Sequence, residues 1–216
     1  MNIGQRLLKI YKRLLDYFGT QNWWPGETEE EIIIGAILTQ NTNWRNVEKA
    51  ISNLKNNGVL SIREIDKTDI STIAELIKPS GYFNQKAKKL KKLSSFLMEH
   101  YDGDMDKLKS VSTERLRSEL LSINGIGAET ADSILLYALE RPVFVVDAYS
   151  FRLAIRHNLI WEDATYEELQ ELFTQNLPRD SSLYNEYHAL IVQLGKSFCK
   201  RKNPICSSCP LNFDLH

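Results

Sequence analysis

The sequence predicts an all-α protein, and three observations support this fold class. Apolar residues recur at helical spacing, as they do over residues 2–18. A composition of 43% hydrophobic and 25% charged residues is typical of a globular protein. A chain of 216 residues is long enough for one large domain or two small lobes.

The predicted helices follow one another with short interruptions. The first covers residues 2–18, and the second begins at Glu29, where three successive glutamates suit the positive end of a helix dipole. Between them a polar and aromatic loop stops at the turn signal Pro25-Gly26. Further helices are predicted at residues 46–56, 73–77, 90–97, 111–121, 148–157, 166–173 and 183–198, with an acidic loop at residues 102–106.

The segment 120–152 contains a helix, a tight turn and a second helix. The turn is Asn124-Gly125-Ile126-Gly127, and the second helix carries apolar residues at helical spacing. Glycines permit positive φ and a close approach by another molecule, and a helix N-terminus with unpaired N–H groups can bind an anion. Two interpretations stay open: a simple turn in a helical bundle, or a phosphate-binding hairpin.

Asp147 follows an apolar run, Val143 to Val146, and opens the next predicted helix. One role for its carboxylate is that of a helix N-cap. The alternative is a carboxylate that acts on a nucleic acid held by the hairpin.

Taken together, INGIGAETA and VVDAYSFR resemble the helix-hairpin-helix, the Gly/Pro-rich loop and the catalytic aspartate of the endonuclease III superfamily of DNA glycosylases. The resemblance extends over about residues 30–211. It implies a two-lobed helix-hairpin-helix fold with a C-terminal cysteine loop, in which one lobe spans residues 21–137 and the other joins residues 1–20 to residues 138–216. It also implies a base-excision-repair enzyme acting on damaged double-stranded DNA. Asp147 is then the catalytic residue, and Gly125, Ile126 and Gly127 bind the DNA backbone.

Other positions match the family's motifs residue by residue. Gln40 matches a glutamine that fills space around the extruded nucleotide, and Tyr82 matches a wedge pushed into the duplex. Lys86, the first of several lysines between residues 86 and 92, is assigned to DNA binding. For Tyr82, packing within the protein is the open alternative.

The segment LTQNT followed by an aromatic residue, with Trp-Trp-Pro upstream, resembles the type III 3-methyladenine DNA glycosylases. It implies a base pocket walled by Trp24, Pro25 and Trp44, because stacking on an indole favours any flat base. An electron-poor alkylated purine would also gain from cation–π attraction. For the tryptophans the alternative is that they fasten the N-terminal helix to the body of the protein.

Bifunctional members of the superfamily carry a lysine in a G-x-G-x-K pattern, and here Glu129 stands at that position. A carboxylate cannot form an imine with the sugar. The sequence therefore predicts a monofunctional glycosylase without efficient strand cleavage.

All three cysteines lie near the C-terminus in a C-x6-C-x2-C pattern: Cys199, Cys206 and Cys209. This spacing suits a metal or an iron–sulfur cluster better than disulfides in a cytosolic protein. It resembles the first three ligands of the family's [4Fe–4S] loop, but Leu215 occupies the place of the fourth cysteine. A cluster with three thiolates and an outside or histidine ligand, a labile cluster and a lost cluster are all open.

The formal net charge of −1 does not by itself indicate a nucleic-acid-binding protein, but lysines cluster in sequence at residues 86–92 and 196–202. The apolar runs are shorter than the roughly 20 residues that span a bilayer, and the N-terminus lacks the pattern of a signal peptide, so we expect a cytoplasmic protein with no membrane partner. We also expect a monomer. Two other functions stay open. One is a monofunctional mismatch or oxidised-pyrimidine glycosylase, and the other is a non-catalytic DNA-binding module.

Overall fold

The computed structural model describes residues 2–215, and within them the chain is helical with no strand. The all-α prediction is confirmed. The α-helices are α1 Ile3–Phe18, α2 Glu29–Leu38, α3 Trp44–Asn56, α4 Ile62–Lys67, α5 Ile70–Leu76, α6 Phe83–Tyr101, α7 Met105–Ser110, α8 Thr113–Ser122, α9 Ala128–Ser133, α10 Ala148–Arg156, α11 Tyr166–Thr174 and α12 Ser181–Ser197. Short 3-10 turns cover Lys78–Ser80 and Asn212–Asp214, and a π-helical turn, Ile134–Ala138, continues α9.

The chain divides into two compact units. Unit 1 is formed by the described residues of Met1–Trp23 and Glu140–His216, and unit 2 by Trp24–Leu139. The predicted lobe of residues 21–137 starts and ends slightly before unit 2. No helix in residues 2–215 is long and apolar enough to cross a membrane.

Unit 1 is built around α12, which packs against both α1 and α10. Its core is aromatic: the rings of Phe144 and Phe173 stack with centroids 4.0 Å apart, and Tyr184 and Tyr187 meet Phe144 edge-on. The Tyr187 hydroxyl donates to the Leu7 carbonyl at 2.9 Å. This bond satisfies the one polar group of a buried ring and fixes α1 to α12.

Unit 2 is built around α2 and α6. Every residue of α2 from Ile33 to Leu38 is buried, which explains its continuous apolar run. Helix α6 packs on α2, α4 and α5, and α8 packs on α9 to form the two arms of the hairpin. Three carboxylates in the first turn of α2 and the Thr28 N-cap stabilise its N-terminus.

Two six-residue helices, α4 and α7, lie where no helix was predicted, because such short elements give too few periodic positions. The acidic loop predicted at residues 102–106 is wrong in its second half. Asp104 is an N-cap whose side chain accepts from the Asp106 amide at 2.9 Å, so α7 begins at Met105.

Candidate active site

The hairpin joins α8 to α9 through Asn124, Gly125, Ile126 and Gly127. Gly125 has φ +100°, a conformation that side chains rarely adopt. The arms are locked by a bidentate ion pair in which Arg117 donates to the fully buried Asp132 at 2.7 and 3.1 Å. Bidentate pairs of this kind fix geometry, so the turn is held between rigid arms.

The two hairpin glycines differ in what surrounds them. A Cβ on Gly125 would lie 2.9 Å from Cγ of Lys89, whereas a Cβ on Gly127 would meet nothing within 4 Å. Gly127 is the N-cap of α9 and supplies no side chain to its amides. The open approach to this helix terminus is therefore at Gly127, and the space beside Gly125 is taken by the protein itself.

Ile126 was predicted to bind DNA, and that assignment stays a prediction. Its amide donates to the Ile123 carbonyl at 2.9 Å inside the turn, and its side chain is buried. The side chain anchors the turn in the core, so the hairpin's candidates for DNA binding are backbone atoms.

Lys86 was also predicted to bind DNA, and this is wrong for a direct contact. Its side chain is 2% exposed, and its ammonium donates to the carbonyls of Leu38 at 2.9 Å and Ser80 at 2.7 Å. Burial, helped by the nearby charge of Lys89, lowers the pKa of Lys86 to about 8. Lys86 ties the end of α2 to the 3-10 turn before α6.

Gln40 lies just past the end of α2 and is bonded on both sides of its amide. Nε2 donates to Oγ1 of Thr130 at 2.9 Å, and Oε1 accepts from the ammonium of Lys89. Thr130 lies in the first turn of α9. The side chain of Gln40 is thus fixed to the hairpin by two neighbours that the sequence did not indicate.

Tyr82 lies at the N-terminus of α6 with its side chain 66% exposed. Its backbone is left-handed, with φ 45° and ψ 30°, and it follows Gly81, which also has positive φ. A bulky residue in this region is unusual and carries local strain. The alternative that Tyr82 packs within the protein is wrong, because its ring is exposed to solvent. The assignment of Tyr82 as a wedge stays a prediction.

The predicted base-pocket aromatics gather in unit 2. The ring centroids of Trp24 and Trp44 are 5.3 Å apart at an interplanar angle of 89°, and Tyr137 lies 5.4 Å from Trp24. A Cβ on Gly35 would lie 3.0 Å from the Trp24 ring, so this glycine of α2 lets the indole pack closely. Pro25 is exposed beside them.

The sequence did not predict that Tyr137 joins this aromatic cluster, because Tyr137 belongs to no recognisable motif. It belongs to the π-helical turn after α9, a feature that often occurs at functional sites. The periodic apolar residues around it predicted an ordinary helix.

In unit 1, Asp147 caps α10. Its Oδ1 accepts from the amides of Tyr149 and Ser150, both at 2.8 Å, and from the Ser150 hydroxyl at 3.0 Å. The N-cap interpretation is confirmed for this oxygen. The other oxygen, Oδ2, lies 3.6 Å from Nε2 of His188 on α12, too far for a hydrogen bond but close enough for attraction if the imidazole is protonated.

The environment of Asp147 favours the ionised form. Burial raises its pKa, but the facing His188 and the bonds from Ser150 lower it more, so the pKa of Asp147 lies below its ordinary value. The carboxylate is 12% exposed and charged at neutral pH. One oxygen is consumed by the cap, which fixes the direction of the other.

Glu129 lies in the first turn of α9 and is exposed. Its side chain is a carboxylate, so the hairpin offers no amine at this position.

The cysteine loop is organised by α10 and the C-terminal turn. All three cysteines line one cavity with Arg156 and Leu215. Arg156 Nη1 lies 3.2 Å from the Cys199 sulfur, and its other bonds go to the backbone of residues 200 and 201. The Leu211 amide donates to the Cys209 sulfur at 3.4 Å, and burial, the largest effect, raises the pKa of the Cys209 thiol.

The three cysteine thiols do not by themselves fit an iron–sulfur cluster that needs four thiolate ligands. Leu215 lines the cavity in place of a fourth cysteine, and in residues 2–215 no group of three His, Cys, Asp or Glu is arranged to hold a metal ion. The sequence also allowed a histidine ligand; His216 lies outside the described residues. The loop is instead pinned through Asp214, which accepts two bonds of 2.9 Å from Arg6 and one of 2.9 Å from His157.

Comparison with known proteins places this geometry in a family. The family described as HhH-GPD superfamily base excision DNA repair protein matches residues 34–179. A protein of Methanocaldococcus jannaschii named "Putative DNA repair glycosylase" is 53% identical over 211 residues, which cover 97% of this chain and 96% of the relative. An endonuclease III of Thermotoga maritima is 31% identical over 179 residues, covering 82% of this chain and 78% of that protein.

Solved structures agree with this assignment. The Helicobacter pylori 3-methyladenine DNA glycosylase MagIII, bound to 1,N6-ethenoadenine, is 33% identical with a TM-score of 0.75, covering 91% of this chain and 98% of that one. A non-covalent endonuclease III–DNA complex, at 21% identity, shares the fold with a TM-score of 0.84 over 100% of this chain and 96% of its own. This chain belongs to the HhH-GPD superfamily of base excision DNA repair proteins.

Proposed function

We propose that the protein is a monofunctional DNA glycosylase that hydrolyses the N-glycosidic bond of an alkylated purine such as 3-methyladenine in double-stranded DNA. The observation that carries the glycosylase assignment is the geometry of Asp147. Its Oδ1 accepts three hydrogen bonds, and its Oδ2, the second oxygen of the ionised carboxylate, takes no part in the cap.

Breaking an N-glycosidic bond builds positive charge on the sugar ring. A fixed carboxylate stabilises that charge as it develops and can orient water toward C1′. Because its own helix terminus holds Asp147 in place, the group needs no reorganisation when the bond breaks. In a non-catalytic DNA-binding module the same carboxylate would serve only as a helix cap.

The base must first leave the stack, at a cost of a few kcal/mol. We assign phosphate binding to the open α9 terminus at Gly127, and the vacated space to Gln40 and the exposed Tyr82. Two bonds already fix Gln40, so little conformational entropy is lost when it is used.

The substrate class is supported by the aromatic cluster of Trp24, Trp44 and Tyr137 and by the likeness to MagIII. A cationic alkylpurine gains more from indole faces than a neutral base does. The edge-to-face arrangement of the two indoles leaves no parallel slot between them. A base would therefore stack on one face, and Trp44, at the start of α3, is our candidate.

Glu129 supports the monofunctional assignment, because an imine with the sugar requires an amine. We further propose that the cysteine loop is structural. The [4Fe–4S] cluster stays a prediction that iron analysis and visible absorption of purified protein would decide.

The function is tested by base release from duplexes that carry one lesion each, with alkylated purines in one set and mismatched or oxidised pyrimidines in another. Each product is analysed with and without alkali. We expect alkylpurine release and strand breaks only after alkali. Breaks without alkali would contradict the Glu129 argument, pyrimidine release alone would replace the substrate class, and binding without any release would leave a DNA-binding module.

A further inference from the structure

The lysines of α6 differ from other lysines of the chain in their partners. Five lysines elsewhere pair with carboxylates: Lys55 with Glu27, Lys67 with Glu64, Lys78 with Glu75, Lys107 with Asp102 and Lys109 with Glu29. Within residues 2–215, no lysine of α6 does so. Those of α6 that form hydrogen bonds, Lys86, Lys89, Lys91 and Lys92, donate to neutral carbonyl or amide oxygens. Helix α6 therefore keeps its positive charge although the whole chain is nearly neutral.

Two of these lysines reach the hairpin. Lys92 donates to the Asn124 side chain at 2.8 Å. Lys89 lies across the turn, because the missing Cβ of Gly125 leaves room for its Cγ, Cδ and Cε atoms, which would lie 2.9 to 3.2 Å from that Cβ. The ammonium of Lys89 then ends on Gln40.

Lys89 thus touches two parts of the site that the sequence treats separately. Its stem packs on the backbone of the phosphate-binding turn, and its ammonium holds the amide of Gln40. Thr130 of α9 holds the same amide from the other side. Both side chains that support Gln40 therefore adjoin the hairpin, Lys89 through Gly125 and Thr130 through α9.

We infer that Lys89 is a positioning residue that couples the hairpin to Gln40. Binding of the DNA backbone by the hairpin and filling of the space left by the extruded base by Gln40 then depend on one side chain. This inference deepens the proposed function and rests on it. An ammonium has three donors, so Lys89 can hold Gln40 and still present positive charge beside a phosphate.

The test compares Lys89→Met with Lys88→Met. Lys88 is an exposed neighbour on the same helix that is hydrogen-bonded neither to the hairpin nor to Gln40, so both variants remove one charge from α6. Each loss should weaken DNA binding and reduce the salt slope by no more than about one unit. At saturating enzyme, Lys89→Met should slow single-turnover base release from a duplex about tenfold, the scale of one lost charged hydrogen bond. Lys88→Met should not slow this step.

Coupling through Gln40 is tested by a double-mutant cycle. In a Gln40→Ala background, Lys89→Met should cause no further loss of rate, and Lys89→Arg in the native background should recover part of it. Multiplicative effects of Lys89→Met and Gln40→Ala, or equal rates for Lys89→Met and Lys88→Met, would overturn the inference.

A binding readout separates this inference from the proposed function. In a duplex with 2-aminopurine at the target position, emission rises when the base leaves the stack. The rise should be smaller with Lys89→Met than with Lys88→Met, even if the native protein releases no base. An unchanged rise would sink the role of Lys89. Absence of release by the native protein on every lesion, with the difference in emission preserved, would sink only the glycosylase assignment.

Discussion

The N-termini of α9 and α10 use their backbone amides in opposite ways. At α9, Gly127 supplies no side chain and a Cβ there would meet nothing within 4 Å. At α10, Asp147 fills the terminus with its own carboxylate. At the first terminus no side chain occupies the amide donors, whereas at the second the carboxylate of Asp147 accepts from them. The proposed function uses the first terminus to bind phosphate and the second to fix a catalytic carboxylate.

The largest effect is expected when the charge at α10 is removed and its cap is kept. Asparagine caps as well as aspartate, so Asp147→Asn should preserve α10. It should slow base release about 10²- to 10³-fold, the usual loss for one electrostatic group in the transition state. Single-turnover kinetics on an alkylpurine duplex would measure this loss, and a fluorescence titration would check that binding is kept.

Asp180 offers the matched control, because its Oδ1 caps α12 through the amides of Ser182 and Leu183 in the same way. Asp180→Asn should leave the rate unchanged. A similar loss of rate in both variants would mean that Asp147 acts only as a cap.

The next effect concerns α9, which Gly127→Asp would make resemble α10. The backbone there is extended, with φ −96° and ψ 176°, so aspartate fits and can cap the helix. We expect affinity for duplex DNA to fall about 10- to 100-fold, because the donors are occupied and a negative charge faces the phosphate. Stability should change by only a few tenths of a kcal/mol. Titrations at fixed salt and a thermal melt would measure both quantities, with Gly127→Ala as the uncharged control.

A smaller effect is expected from the imidazole beside Asp147. His188→Gln removes a group that lowers the pKa of Asp147, so this pKa should rise. The reaction needs the ionised carboxylate, and the acid limb of the rate profile should therefore move to higher pH. The stability of the fold also depends on this carboxylate. Because its pKa is depressed in the folded state, the ionised group stabilises the fold above the unfolded-state pKa, and this contribution disappears as the pH falls through the folded-state pKa. An acid limb that stays in place would show that His188 does not influence the carboxylate.

The smallest effect tests the strained glycine of the hairpin. Gly125→Ala should destabilise the protein by about 1–3 kcal/mol, because φ is +100° and the new Cβ meets Lys89. Gly58→Ala is the control, since Gly58 has φ +67° and open space around it. Chemical denaturation would give both values, and equal losses would mean that Lys89 yields freely.

Much of this could be predicted from sequence, for reasons that the structure makes plain. The helical spacing and the turn at residues 124–127 are local, so the all-α class and both arms of the hairpin followed directly. Asp147 could be predicted both as a helix cap and as a candidate catalytic carboxylate, because both roles depend on its place before α10.

The remaining features depend on contacts between residues far apart in the chain. Lys86 belongs to a basic run, and only its bonds to Leu38 and Ser80 reveal that it is buried. Neither the approach of Lys89 to Gly125 nor that of His188 to Asp147 leaves a trace in local spacing. The same holds for the contact of Tyr137 with Trp24, whose ring was predicted from a motif.

The most direct test places Gly127→Asp and Asp147→Asn on one alkylpurine duplex and measures affinity and single-turnover release for each. We expect the two variants to separate the two quantities. Gly127→Asp should bind weakly but release the base at a near-native rate at saturation, and Asp147→Asn should bind normally but release it slowly. If both variants lost affinity and rate in parallel, the division between an open phosphate-binding terminus and a self-capped catalytic one would be wrong.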